Sequence, residues 1–311
     1  MTDPGERPSL WERIAALNRA PLEHVPAPDR DLTELRRRLR EPPTGAPPPP
    51  RGVPPPLTLR RDVPRSLPRA PAYAPPSGAA VRIEEAVRGE ERVAPPWGAA
   101  LVRTVRASAL GGEDAATAHR LHARLVERPL PHDHAGDVAP EQLLFVDLET
   151  TGLSGTPLFL IGAMHAEDGD LVVRQILARD YSEEPAAIAL FGGLASERDV
   201  LVTFNGKSFD MPYLRMRAAA TGVPLRVSGM HLDLLHSGRR AWRGEVPDCR
   251  LQTLASHVCS RVREHDIPGA RIPEAYHAFV RTGNAIEIAS IMEHNLQDLL
   301  VMADLLARLP E

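Results

Sequence analysis

The rhythm of hydrophobic positions changes twice along this chain. Up to about residue 77 apolar residues are scattered among prolines, and from about 81 to 127 they recur in short pieces. From 143 onward they form strand-length runs separated by helical spacings. Runs at 143–149 (LLFVDLE), 158–164 (LFLIGAM), 171–177 (LVVRQIL), 200–204 (VLVTF) and 229–235 (GMHLDLL) predict five strands. Asp168-Gly169, between the second and third runs, is a hairpin signal. Helical spacing of Ile188, Leu190, Phe191 and Leu194 predicts a helix over 185–196, and a second helix follows the fourth strand to about Ala220. A last helix is expected from about Asn284, where Asn284-x-x-Glu287 has the spacing of a cap, to about Leu309. A hairpin followed by alternating strands and helices predicts an α/β domain over residues 140–311, a mixed five-stranded sheet flanked by helices.

Upstream the signals are local. Residues 99–105 (AALVRTV) read as a strand, and 113–127 as a helix with Ala116, Leu121, Leu125 and Val126. Residues 78–139 are therefore expected to form an extension packed on the main domain. Within it His132-Asp133-His134 reads as a polar turn, with metal binding as the other reading. Of the 32 prolines, 21 fall in residues 1–100, and Glu41 to Ser77 has the composition of a polyproline II tether. Two helical candidates precede it: one opens on the capping-box spacing Ser9-x-x-Glu12 with Leu10, Ile14 and Leu17, the other runs from Asp31 to Arg40. Each either docks on the body or on a protein partner, or is a transient solvated helix. Residues 1–77 thus read as a largely disordered arm, because such a composition buries too little apolar area to offset chain entropy.

Charge narrows the function. Residues 1–100 hold 16 Arg against 13 Asp and Glu, a net of +3, while the remainder holds 21 basic and 28 acidic residues, a net of −7. An acidic body argues against a broad grip on duplex phosphates, and leaves nucleic-acid binding to a local basic patch or to bound cations. Lys207 is the one lysine in the chain. Cys249 and Cys259 make no disulfide framework, and the chain opens without the apolar core of a signal peptide or a membrane-length apolar run. A soluble, cytoplasmic protein is expected, with no membrane partner.

Against this background the polar residues at element ends stand out. Asp147 and Glu149 alternate on the first strand and therefore point the same way. Two carboxylates at the end of a buried strand repel each other and call for a hard cation. Asp210 follows the fourth strand in Asn205-Gly206-Lys207-Ser208-Phe209-Asp210-Met211-Pro212, where Pro212 marks a first helical turn and the helix dipole favours an ionised carboxylate. Lys207 suits a phosphate or pairs with a surface carboxylate. On the last helix His294 and Asp298 stand one turn apart on one face, a spacing that suits a proton acceptor beside a cation ligand. His231 and Asp233 share a face of the fifth strand, either orienting the site or forming an ordinary polar strand end. Arg239, Arg240, Trp242, Arg243 and Arg250 form the densest basic patch of the body. Either it holds phosphate and stacks a base, or it is a solvated helix face with Trp242 turned inward.

Taken together, these motifs resemble the DEDD superfamily of 3′–5′ exonucleases within the ribonuclease-H-like fold. VDLETTGL resembles the first motif of its DnaQ-like group, and NGKSFDMPYLRMR is similar to the second motif of B-family polymerase proofreading domains. The third motif departs from both usual forms, carrying His at the four-residue spacing where one subgroup has Tyr. DLETTGL, FNGKSFD, HLDLLH-x-x-RR-x-W, CRLQTL and HNLQD together resemble the YprB-like family of predicted exonucleases over about residues 95–308. The resemblance implies two Mg²⁺ or Mn²⁺ ions, one held by Asp147, Glu149 and Asp298 and the second by Asp147 with Asp210. It implies His294 as the acceptor of the proton of the attacking water, and Asn205 and Lys207 near the scissile phosphate. Thr150, Thr151, Arg239, Arg240 and Trp242 are expected to complete a surface for single-stranded nucleic-acid ends. A structure-specific endonuclease and an inactive nucleic-acid-binding scaffold are the alternatives.

Overall fold

In the computed structural model the described residues are 78–127, 138–152, 155–227, 230–263 and 266–310. The expectations for residues 1–77 and for His132, Asp133 and His134 lie outside them. Seven strands form one sheet: β1 (Glu90–Val93), β2 (Ala99–Arg106), β3 (Leu143–Thr150), β4 (Leu158–Glu167), β5 (Asp170–Leu177), β6 (Val200–Thr203) and β7 (Met230–Asp233). Their spatial order is β1-β2-β5-β4-β3-β6-β7. The helices, in chain order, are α1 (Ile83–Ala86), α2 (Ala107–Leu110), α3 (Gly112–Glu127), α4 (Glu184–Ser196), α5 (Asp210–Thr221), α6 (Leu234–Trp242), α7 (Leu251–His257), α8 (Ile272–Thr282) and α9 (Ile286–Arg308).

The five expected strands are β3 to β7, and the sheet is larger than expected by two. β2 pairs antiparallel with β5, from Leu101 opposite Leu177 to Arg106 opposite Val172, and β1 pairs with β2 beyond it. The alternation over 99–105 predicts a strand but does not say which edge it joins. β1 (EERV) is exposed along its whole length, so it carries no apolar signal, and its charges blunt the sheet edge.

Strand alternation decides what each helix covers. Leu144, Val146 and Leu148 of β3 face one way, into a cluster with Ile188 and Phe191 of α4 and Met211 and Leu214 of α5. Leu143 and Phe145 face the other way and pack with Leu296 and Leu299 of α9. Each fully buried side chain of this kind contributes about 1.5–3 kcal/mol. By the same period of two, Asp147 and Glu149 continue the face that meets α9. β3, β6 and β7 run parallel, so their carboxyl ends share one edge of the sheet. The loops that leave that edge carry the motif residues, as is usual where open α/β sheets bind ligands.

Candidate active site

The site is built where β3 ends against α9. Glu149 and Thr150 flank a register shift in the pairing with β4, a local kink of the kind found beside functional sites. Asp210 opens α5 and is buried. His294, Asn295 and Asp298 project from one side of α9.

Three of the four carboxylates resist ionisation. Burial, then the negative charges of Asp298, Glu149 and Asp210, raise the Asp147 pKa well above its ordinary value against a lowering hydrogen bond from Asn295. Burial pushes Glu149 up to about 8, with Asp298 and Asp210 adding to it and His294 opposing. Asp210 is pushed up to about 7, mainly by burial. Such shifts signal a cluster short of positive charge.

The cation present is Arg263, in the segment between α7 and α8. Its guanidinium donates to Asp298 and lies 3.4 Å from Asp266. Asp266 in turn faces His294, with Oδ1 2.7 Å from Nδ1, while His294 Nε2 lies 3.4 Å from Asp298. An ionised carboxylate only accepts, so the Asp266 contact places the imidazole proton on Nδ1 and leaves Nε2 toward the carboxylate cluster. Burial works to lower the His294 pKa, but the hydrogen bond to Asp266 and the charges of Asp298 and Glu149 outweigh it and raise the value. For Asp266 burial works upward, but the contacts with His294 and Arg263 prevail and hold it below the usual carboxylate range.

Asp147 is oriented from behind. Asn295, fully buried, donates to its Oδ2 at 2.8 Å and accepts from Gln175 Nε2 at 2.9 Å, which also reaches the Met292 carbonyl at 2.6 Å. This chain of amides ties β5, α9 and β3 together. It requires Gly162, opposite Asp147 on β4, because a Cβ there would run into the Asn295 amide.

The second-motif loop is held by Asp233. Its buried carboxylate accepts from the N–H groups of Asn205 (2.8 Å), Lys207 (3.0 Å) and Leu235 (3.1 Å). His231 Nε2 lies 2.7 Å from Thr203 Oγ1. These two residues therefore position the loop, rather than forming a mere polar strand end. Asn205 takes a left-handed backbone, φ 64°, which Asn tolerates better than most residues. Lys207 is exposed and has no ion-pair partner among the described residues, which removes the reading that it pairs with a surface carboxylate.

Other expected contacts are placed differently. Thr150 and Thr151 turn their hydroxyls to the carbonyls of Gly152 (2.8 Å) and Pro157 (3.0 Å) and shape their own loop. Tyr213 of α5 closes that loop through the Thr156 carbonyl at 2.7 Å. Trp242 is buried in the core cluster of Leu254 and Leu296, so its ring offers no face for stacking a base. Hydrophobic gain on the inner face of α6 outweighs display of the indole, while Arg239 and Arg240 stay exposed on the outer face. Arg263, Asp266 and Gln175 carry no signal in the sequence that marks them for the site. The one available clue was Asn295 beside His294.

The donor set fits hard divalent cations in kind and charge: oxygen ligands, several of them buried, and too little positive charge among them. Among the described residues no three His, Cys, Asp or Glu side chains already close on one point. Asp298 is turned to Arg263 and Asp147 to Asn295, so the carboxylates share an edge of the sheet without converging further.

YprB of Bacillus subtilis (strain 168), an uncharacterised protein, is 32% identical over 170 residues, 52% of this chain. The chain spans about 40% of that relative's length. The structure of the family B DNA polymerase from the hyperthermophilic archaeon Pyrobaculum calidifontis aligns with a TM-score of 0.43 at 21% identity, covering 55% of this chain and 25% of that one. Residues 144–309 match the RNase_H superfamily model. With a YprB-like sequence over a mixed sheet whose carboxylates gather where β3 meets α9, the chain belongs to the RNase H superfamily, a nuclease-type fold.

Proposed function

We propose that the protein is a metal-dependent 3′–5′ exonuclease that hydrolyses phosphodiester bonds at single-stranded nucleic-acid ends in the cytoplasm. The observation that carries this reading is the cluster of Asp147, Glu149, Asp210 and Asp298, with the pKa values of Asp147, Glu149 and Asp210 raised and an oriented His294 at its side. Binding alone would not require four carboxylates gathered against their mutual repulsion. Preference for a 3′ end rests on the resemblance of the three motifs.

Asp147, Glu149 and Asp298 would hold one Mg²⁺ or Mn²⁺ ion, and Asp147 with Asp210 a second. Bound there, such ions supply Lewis acidity to the attacking and leaving oxygens of the phosphodiester. His294 accepts the proton of the attacking water at Nε2, while Asp266 keeps Nδ1 protonated and the ring aligned. Asn205 and Lys207, on a loop pinned by Asp233, orient the phosphate, and the unpaired ammonium of Lys207 meets its charge.

The test is product size from oligonucleotides labelled at the 5′ end. Exonucleolytic action predicts a ladder shortening one nucleotide at a time, no cleavage in EDTA, and recovery with Mg²⁺ or Mn²⁺. Internal fragments at a junction would assign the endonuclease alternative instead. An absence of products with either ion would return the protein to the scaffold alternative.

A further inference from the structure

A cavity of about 920 Å³ opens next to the second-motif loop and takes no part in the chemistry above. Phe204, directly after β6, forms one wall. Leu235 and Arg239, one turn apart on α6, form another, and Arg243, Cys249 and Arg250 complete it. Asp233 joins this wall to the carboxylate site, since the same side chain holds Asn205, Lys207 and the first turn of α6. Because β3, β6 and β7 run parallel, Phe204 and the start of α6 lie at the sheet edge that carries Asp147 and Glu149.

The charge of the cavity is opposite to that of the body. Three arginines line it against one acid, Asp248, which accepts from the Arg250 N–H at 2.9 Å within its own turn. Arg239 and Arg243 are exposed, and neither has an ion-pair partner among the described residues. Some arginines elsewhere are closed on carboxylates and so withheld from a ligand, as Arg217 is on buried Glu184 and Arg261 on Asp304. Two unpaired guanidiniums beside an aromatic wall suit phosphates flanking a base, which arginine binds through paired N–H groups and an aromatic ring through stacking. Phe204 packs one side on the core and turns the other to the cavity. The volume falls within the roughly 300–1,000 Å³ of sites that enclose a small organic group.

We propose that this cavity is a subsite for the single strand away from the scissile bond, with Arg239 and Arg243 on its phosphates and Phe204 against one base. The proposal rests on the nucleolytic reading for its substrate and deepens it by giving the strand a path. Cys249 supplies a direct probe, because it lines the cavity half-buried, whereas Cys259 is buried with its thiol pushed up to about 12, chiefly by that burial.

The experiment uses the full chain in EDTA with a phosphorothioate-linked octanucleotide. Maleimide labelling of Cys249 is followed by mass spectrometry, and binding by fluorescence anisotropy. With the strand at ten times its Kd, labelling of Cys249 should slow about ten-fold, in proportion to the free fraction, while Cys259 stays unlabelled throughout. The Arg239→Gln/Arg243→Gln protein should bind about ten-fold more weakly or worse, with a salt dependence shallower by about 1.4 in log–log slope, at about 0.7 per lost phosphate contact. Unchanged labelling of wild type at saturation overturns the subsite, and that readout needs no variant to fold. Protection by polyglutamate but not by the strand also overturns it, in favour of an acidic protein partner. Cleavage of unmodified strand without Cys249 protection would leave the nucleolytic reading standing alone. Protection without cleavage in Mg²⁺ or Mn²⁺ would do the reverse.

Discussion

Asp298 and Asp304 lie on the same helix, α9, and show two opposite ways of placing a carboxylate inside a protein. Asp304 is fully buried and accepts from Arg120 (3.0 Å) on α3, Arg261 (3.2 Å) after α7 and Arg308 (2.9 Å) on its own helix. One negative charge meets three guanidiniums, and the network ties α3 and the α7–α8 connection to α9. Asp298 instead shares its surroundings with Asp147, Glu149 and Asp210, and Arg263 is its guanidinium partner. The first arrangement is closed and has no further use for a cation. The second keeps negative charge in excess, which is costly without a ligand and useful with one. Buried charge by itself says little about function; its balance says more.

The largest break in this comparison is Asp147→Ala. Loss of several kcal/mol of transition-state stabilisation should lower turnover by about 10³–10⁴-fold. Calorimetric titration should show at least one Mn²⁺ fewer bound, and the metal-free protein should melt no lower, because a mutual repulsion is gone. Full activity would sink the assignment of the site.

Asp304→Ala should act on the other side, through stability. Removing the acceptor from three guanidiniums costs about 3–5 kcal/mol, or roughly 10 °C in Tm at about 2–4 °C per kcal/mol. Calorimetry checks this, and the fraction still folded should keep its activity. A Tm within a degree or two of wild type would show that the closed network is not structural.

Between the two lies His294, which touches both a cation ligand and Asp266. His294→Ala should retain Mn²⁺ affinity and lose roughly 10²–10⁴-fold in rate, the range for a positioned base. His294→Tyr, which restores a hydroxyl at this spacing, should recover part of the loss. If metal and activity vanish together in His294→Ala, the imidazole is a ligand or a structural group instead.

The smallest effect is on pH dependence without metal. Asp147, Glu149 and Asp210 bind their protons more tightly folded than unfolded. Their stabilising contribution is therefore present at low pH and is lost as pH rises through about 7 for Asp210 and about 8 for Glu149. His294, also raised, has the same sign, while Asp266, lowered, loses its contribution only in acid below this window. In EDTA the Tm should fall from about pH 5 to about pH 9, and Glu149→Gln should flatten the slope. Mn²⁺ should restore more stability at the alkaline end, where it no longer competes with protons.

Much of the domain was legible in the chain. A period of two along 143–149 placed Asp147 and Glu149 on one face of β3, and a four-residue spacing placed His294 and Asp298 on one face of α9. Pro212 and Asp210 marked the start of α5, and Asp168-Gly169 the turn between β4 and β5. These features depend on neighbours within a turn or a strand, and local sterics and hydrogen bonding decide them. Tertiary packing decided the rest. It joined β1 and β2 to β5, turned Trp242 inward, brought Asn295 to Asp147 across 148 positions, and set Arg263 and Asp266 against α9 from a segment without periodicity. It also decided which carboxylate was neutralised and which was left in excess. Asp298 and Asp304 are the same residue type on one helix, and the charged groups around them, most of them delivered by other elements, distinguish them. Spacing reports which side chains share a face, whereas charge balance depends on groups from distant parts of the chain that meet only when it folds.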